Sequence, residues 1–167
     1  MWDVDFSCES LICVGGNDDD CGLSSSVSWT TVPGASYLVY VAGSGGAVGD
    51  YGLNIFTTGT PIGTMLPTFP GTGTLDPTFP GSTDAPAGIA EIPYSTGCNT
   101  AINLNVPDSV VGFTFGEPTY TGMTCGGVDS ISATSPGVWY HVDGTGDMLT
   151  VDTCDPTTNF DTIVSLD

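Results

Sequence analysis

The chain has 167 residues, with 19 acidic side chains, one His and neither Lys nor Arg, so its formal net charge is −19. A protein that grips nucleic acid must neutralise phosphates with Lys or Arg. Phosphate-binding lysine loops, lysine Schiff bases and arginine fingers need the same residues, and anionic membrane surfaces repel such a chain. The partners left open are cations, neutral surfaces, glycans and further copies of the chain.

Strand signals run along the sequence in short apolar or alternating stretches. Leu11–Val14 reads as a buried run, and Ser24–Thr30 alternates Ser with Val27 and Trp29. Tyr37–Val41 is β-branched and aromatic, and Tyr51, Leu53 and Ile55 alternate with smaller or polar neighbours. Further strands are expected at 110–115, 138–142, 148–151 and 160–166. Gly, Pro, Asn and Asp clusters punctuate each run, and nowhere does an apolar set repeat at helical spacing. With 24 Gly and 12 Pro, the pattern predicts an all-β chain, an antiparallel sandwich of jelly-roll type. No apolar run approaches the roughly 18–20 residues that span a bilayer, so membrane insertion is not expected.

Residues 57–97 break the pattern. They hold seven of the 12 Pro and a ten-residue repeat, Pro67-Thr68-Phe69-Pro70-Gly71 returning as Pro77-Thr78-Phe79-Pro80-Gly81. Pro withholds the ladder N–H and stiffens the chain toward polyproline II. The segment reads as a linker, or as a docking segment with Phe69 and Phe79 as anchors, and its Thr/Pro content permits O-glycans.

Six cysteines at wide spacing, Cys8, Cys13, Cys21, Cys98, Cys125 and Cys154, point to disulfides in an oxidising, extracellular compartment rather than to a metal site. Six cysteines allow 15 pairings. The pairing adopted joins Cys8 to Cys13 across a short turn and Cys98 to Cys125, which leaves Cys21–Cys154 to cross between the ends of the chain. The residues from Met1 to Asp5 carry no basic or apolar signal segment, so a removed leader or a piece of a longer chain is expected.

Val14-Gly15-Gly16-Asn17-Asp18-Asp19, Ser25–Trp29, Tyr37–Val41, Gly49–Ile55, Pro136–Tyr140 and Phe160-Asp161-Thr162-Ile163-Val164 form a set of six motifs that together resemble the bacterial pre-peptidase C-terminal domain and its Cys-rich relatives. Val14-Gly15-Gly16-Asn17-Asp18-Asp19 resembles that family's NDD turn, and Ser25–Trp29 the strand after it. Tyr37–Val41 and Gly49–Ile55 resemble its closing hairpin. Pro136–Tyr140 is similar to its first long strand, and Phe160-Asp161-Thr162-Ile163-Val164 to its FDT strand. The order is permuted: the segments that open the family's fold lie at the C-terminus here, and reading Asp167 into Met1 restores the family order. The resemblance implies three parts: 1–56 as the C-terminal half of a sandwich, 57–97 as linker, and 98–167 as the N-terminal half.

The densest acidic cluster is Asn17-Asp18-Asp19-Asp20. Ca²⁺ takes six to eight oxygen ligands, the resemblance implies Ca²⁺ binding as in some domains of that family, and Asp155 and Asp161 complete such a site if the C-terminal half docks beside this loop. The other reading is a solvated turn whose side chains bond local N–H groups. His141 lies on an alternating strand, sharing a face with Trp139, and no nucleophile motif accompanies it. Gly43–Gly49 precedes a strand rather than a helix and reads as a hairpin turn, not a phosphate loop. No pair of carboxylates stands out for glycosidase chemistry, so a non-enzyme is expected.

Half a sandwich leaves an apolar face and open ladder groups uncovered. The halves can close within one chain, or between chains head to tail, or along a tandem array. The expected function is an extracellular structural protein that assembles with itself into a filament. Phe69, Phe79, Phe160, Ile163 and Leu166 are its apolar anchors. The rivals are a Ca²⁺-dependent module binding glycan or another polymer, and a non-catalytic appendage of a secreted hydrolase.

Overall fold

The computed structural model describes residues 11–58, 97–120 and 135–167. They form an all-β sandwich of two sheets. The strands are β1 (Gly15–Asn17), β2 (Ser26–Thr30), β3 (Ser36–Gly43), β4 (Asp50–Thr57), β5 (Ile102–Leu104), β6 (Asp108–Phe113), β7 (Gly137–Asp143), β8 (Met148–Asp152) and β9 (Thr162–Leu166). One sheet runs β1-β9-β3-β7-β5 and the other β2-β8-β4-β6.

The period-two pattern explains which side chains meet. Val27 and Trp29 of β2, Leu53 and Ile55 of β4, and Leu149 and Val151 of β8 point from one sheet into the core. Val39, Val41, Tyr140, Val142 and Val164 meet them from the other. The alternate residues of the five-stranded sheet are apolar too. Leu38, Tyr40, Ala42, Trp139 and Ile163 form a second buried cluster with Cys98 on its outer face, edged by Leu11, Ala101 and Tyr120. That double burial is why β3 reads as one continuous apolar run rather than an alternating one. The outer face of the four-stranded sheet is polar. Thr150 meets Ser28 at 2.8 Å and Thr58 at 2.6 Å, and Asn54 bridges Asp152 and Ser109.

Two expectations are corrected. Leu11–Val14 is not a buried strand: Ile12 is 80 % and Val14 49 % exposed, and the strand is Gly15–Asn17. Val14 does donate its N–H to Leu166, so tertiary pairing with β9 moves the strand one step past the apolar run. Tyr37–Val41 and Tyr51–Ile55 do not form a hairpin, because β3 and β4 lie in different sheets. The Gly-rich segment between them crosses the sandwich through a 3-10 turn at Ser44–Gly46, where Gly45 (φ 59°) and Gly46 (φ 88°) take the left-handed conformations open to Gly. The short parallel strand β5 beside β7 was not anticipated.

Of the seven strand pairings among the described residues, six join one of the first four strands to one of the last five. The exception is the three-residue pairing of β5 with β7. No two of β1–β4 pair with each other.

Candidate functional site

The feature with functional content is the seam where the two ends of the chain interleave. Its buried centre is a hydroxyl network. Ser25, Thr153 and Thr162 are each fully buried. Ser25 and Thr153 exchange backbone and side-chain bonds: Thr153 N–H donates to Ser25 O at 2.9 Å, and Ser25 N–H to Thr153 Oγ1 at 2.9 Å. The Ser25 hydroxyl reaches the carbonyls of Asp18 (2.8 Å) and Thr162, and Thr153 Oγ1 meets Thr162 Oγ1 at 2.6 Å. Ser and Thr suit this place because a short hydroxyl satisfies buried backbone groups without adding bulk.

Deeper in the core, Tyr51 from β4 and Tyr140 from β7 meet hydroxyl to hydroxyl at 2.7 Å. Burial, reinforced by the Tyr140 phenol, pushes the Tyr51 phenol up; burial likewise takes Tyr140 to about 12, and both stay neutral. Gly112 makes room for the pair: a Cβ there would lie 2.5 Å from the Tyr51 hydroxyl. At one rim, the Thr31 hydroxyl accepts the N–H groups of Thr145 and Gly146 and donates to the carbonyl of Asp147. At another, Asn159 bonds Asp50 three times, through its backbone N–H, its Oδ1 and its Nδ2. The Tyr51–Tyr140, Thr31 and Asn159–Asp50 contacts each join an N-terminal segment to a C-terminal one.

A disulfide joins Cys21 to Cys154 above the hydroxyl network, with Cα atoms 5.9 Å apart. This is the pair expected to cross between the ends. Cys13 and Cys98 are also disulfide-bonded, and Cys8 and Cys125, their expected partners, lie outside the described residues. So do Phe69 and Phe79. Of the other expected anchors, Phe160 is half-buried and packs edge-on to Tyr51 at 6.4 Å, Ile163 is buried in the outer cluster, and Leu166 in the main core.

The acidic residues split. Asp18 and Asp161, from opposite ends, come together with Asp19 beside the Ser44 hydroxyl. Burial, then the charges of Asp161 and Asp19, raise the Asp18 carboxyl above its ordinary range; burial, then Asp19, raises that of Asp161. One oxygen on each, Oδ1, is buried without a hydrogen-bond partner. Asn17 Oδ1 instead accepts the Ser26 N–H, Asp155 closes a local turn onto Thr157, and Asp20 enters a turn through its N–H to Ser24. Two unpartnered carboxylate oxygens and a hydroxyl fall short of the six to eight oxygens that Ca²⁺ takes. Among the described residues no group of three or more His, Cys, Asp or Glu is placed to hold a metal ion. The Ca²⁺ reading therefore gains no ligand set here.

His141 shares the outer face with Trp139, as the alternation predicts, and its Nδ1 lies 2.9 Å from Asn103 Oδ1. Its Nε2 lies 3.6 Å from Asp143 Oδ1. Sequence reasoning missed Ser25, Thr153 and Thr162, since isolated hydroxyl residues carry no spacing signal. No family model matches the chain, and neither the curated proteins nor the solved structures contain a match to it. No helix among the described residues is long and apolar enough to cross a membrane.

Proposed function

We propose that this chain is an extracellular structural protein that assembles head to tail. The C-terminal end of one copy completes a sandwich with the N-terminal end of the next. The observation that supports the reading is the alternation of strand pairing, with six of seven pairings joining one end to the other. A sandwich built this way uses the same contacts whether its two ends belong to one copy or two. A contact that does not close on itself propagates into a fibre. Residues 57–97 act as the connector between successive sandwiches, and their Pro content favours spacing over back-folding. The permuted resemblance to the pre-peptidase C-terminal domain supports the same division, and the disulfide suits an oxidising exterior. The chain acts without a catalytic centre.

A glycan-binding module would present a row of exposed aromatic rings. Among the described residues Phe115 is the large aromatic left exposed. Light scattering over a concentration series, with negative-stain microscopy of native material, tests self-assembly. Linear particles of regular spacing are expected; discrete monomers at every concentration would contradict it.

A further inference from the structure

The Cys21–Cys154 bond differs in setting from the rest of the seam. Both cysteines are exposed, although Ser25, Thr153 and Thr162 immediately beneath them are fully buried. The bond borders an open depression of about 440 Å³ lined also by Leu23, Asp155, Pro156, Asn159 and Phe160. A thiol therefore has a path to the sulfurs without opening the core. The cysteines are 133 residues apart in sequence, one in the turn before β2 and one in the loop after β8. Their approach is set by the closed sandwich: Thr153 N–H bonds Ser25, and Thr162 N–H bonds Leu23, on either side of them. Any sandwich that closes brings a Cys21 to a Cys154 at bonding distance, whichever copies supply them.

We propose that Cys21–Cys154 is an exchangeable bond that becomes the covalent link between successive copies; this rests on the head-to-tail reading above. The co-reactant is a low-molecular-weight thiol. Its thiolate attacks Cys154 Sγ, the Cys21–Cys154 bond breaks, and Cys21 leaves as a thiolate. A second copy, opened by the same attack so that its Cys21 is a thiolate and its Cys154 carries the small thiol, then docks its N-terminal end on the C-terminal end of the first. The second copy's Cys21 thiolate attacks the mixed disulfide at Cys154, forms the Cys21–Cys154 bond between copies and expels the small thiolate. Two intramolecular disulfides are opened by two small thiolates; one disulfide between copies forms and one small thiolate is released, leaving a Cys21 thiolate and a mixed disulfide at Cys154 at the two ends of the pair, with no electrons gained or lost overall.

The surroundings set the kinetics. Asp18, Asp19, Asp20 and Asp155 flank the two cysteines in sequence, and the chain as a whole carries −19. Negative charge disfavours a thiolate and repels an anionic one. Cationic cysteamine therefore drives exchange faster than anionic glutathione at equal thiolate concentration, and added salt narrows the gap.

The test mixes unlabelled and ¹⁵N-labelled full-length chain in a cysteamine–cystamine buffer. Light scattering is recorded before an acid quench and peptic digestion, since a chain without Lys or Arg offers trypsin no site. The expected result is a Cys21–Cys154 peptide pair carrying one light and one heavy half, approaching the statistical mixture. A ladder on non-reducing electrophoresis, absent from Cys21→Ser/Cys154→Ser, accompanies it. Oligomers in light scattering without mixed-label pairs would overturn the exchangeable link and leave head-to-tail assembly standing. Absence of both oligomers and mixed pairs would overturn the two together.

Discussion

Asp18 and Asp161 face each other across the seam, and their carboxyls are held above the ordinary range by burial and by neighbouring carboxylates. Asp167, which pairs with Leu38 at the end of β9, is pushed up to about 6 by burial. A carboxyl with a raised folded-state pKa binds more protons in the native chain than in the unfolded one. Stability therefore rises as pH falls through the window between the two values. For Asp167 that window runs from about pH 6 down to about pH 4. The melting temperature should be higher near pH 5 than near pH 7.5, and Asp167→Asn should flatten that rise. Asp18→Asn should raise the melting temperature at neutral pH and leave it unchanged near pH 3, where the carboxyl is protonated in both states. Circular dichroism melts across pH check all three, and a melting temperature that drops on acidification to pH 5 would contradict them. In the buried network, Ser25→Ala leaves the carbonyls of Asp18 and Thr162 without their hydroxyl donor, and should cost about 1–3 kcal/mol in urea unfolding. Gly112→Ala forces a Cβ against the Tyr51 hydroxyl and should cost a similar about 1–3 kcal/mol.

Among the elements, β1–β4 own no pairing among themselves, so the N-terminal piece has nowhere to place its ladder hydrogen bonds. Peptides 1–58 and 97–167 should each give a coil-like circular dichroism spectrum alone and a β spectrum when mixed under oxidising conditions. A β spectrum from either peptide alone would show a self-sufficient half. Strands with clean alternation were legible from sequence: β2, β4 and β7 fall where Val27 and Trp29, Leu53 and Ile55, and Val138, Tyr140 and Val142 place them. What sequence lacked was pairing information. Gly15–Asn17 has little strand propensity and takes its conformation from β9. Ile102–Leu104 has one fully inward residue, Leu104, too few for a period to register. The Gly43–Gly49 segment carries the same turn chemistry whether it joins two strands of one sheet or crosses to the other. The crossing disulfide was legible because the six cysteines divide between the two ends, whereas the hydroxyl network was not.

At the scale of the whole molecule, a chain of net charge −19 without a single Lys or Arg repels its own copies at long range. Assembly must then rest on apolar burial and ladder bonds at short range. Raising ionic strength from about 0.05 to about 0.5 M should speed assembly by screening that repulsion, as followed by light scattering. A rate that falls with salt would point to attraction between charges instead. The most direct measurement pairs two full-length variants that are each broken at one end. Val39→Pro removes a ladder N–H from the middle of β3, and Val164→Pro does the same in β9. Alone, each variant should fail to give a β spectrum. Co-refolded, the intact C-terminal end of the first and the intact N-terminal end of the second should form a folded sandwich carrying a Cys21–Cys154 bond between the two chains. A mixture as unfolded as its components would contradict completion of the sandwich between copies.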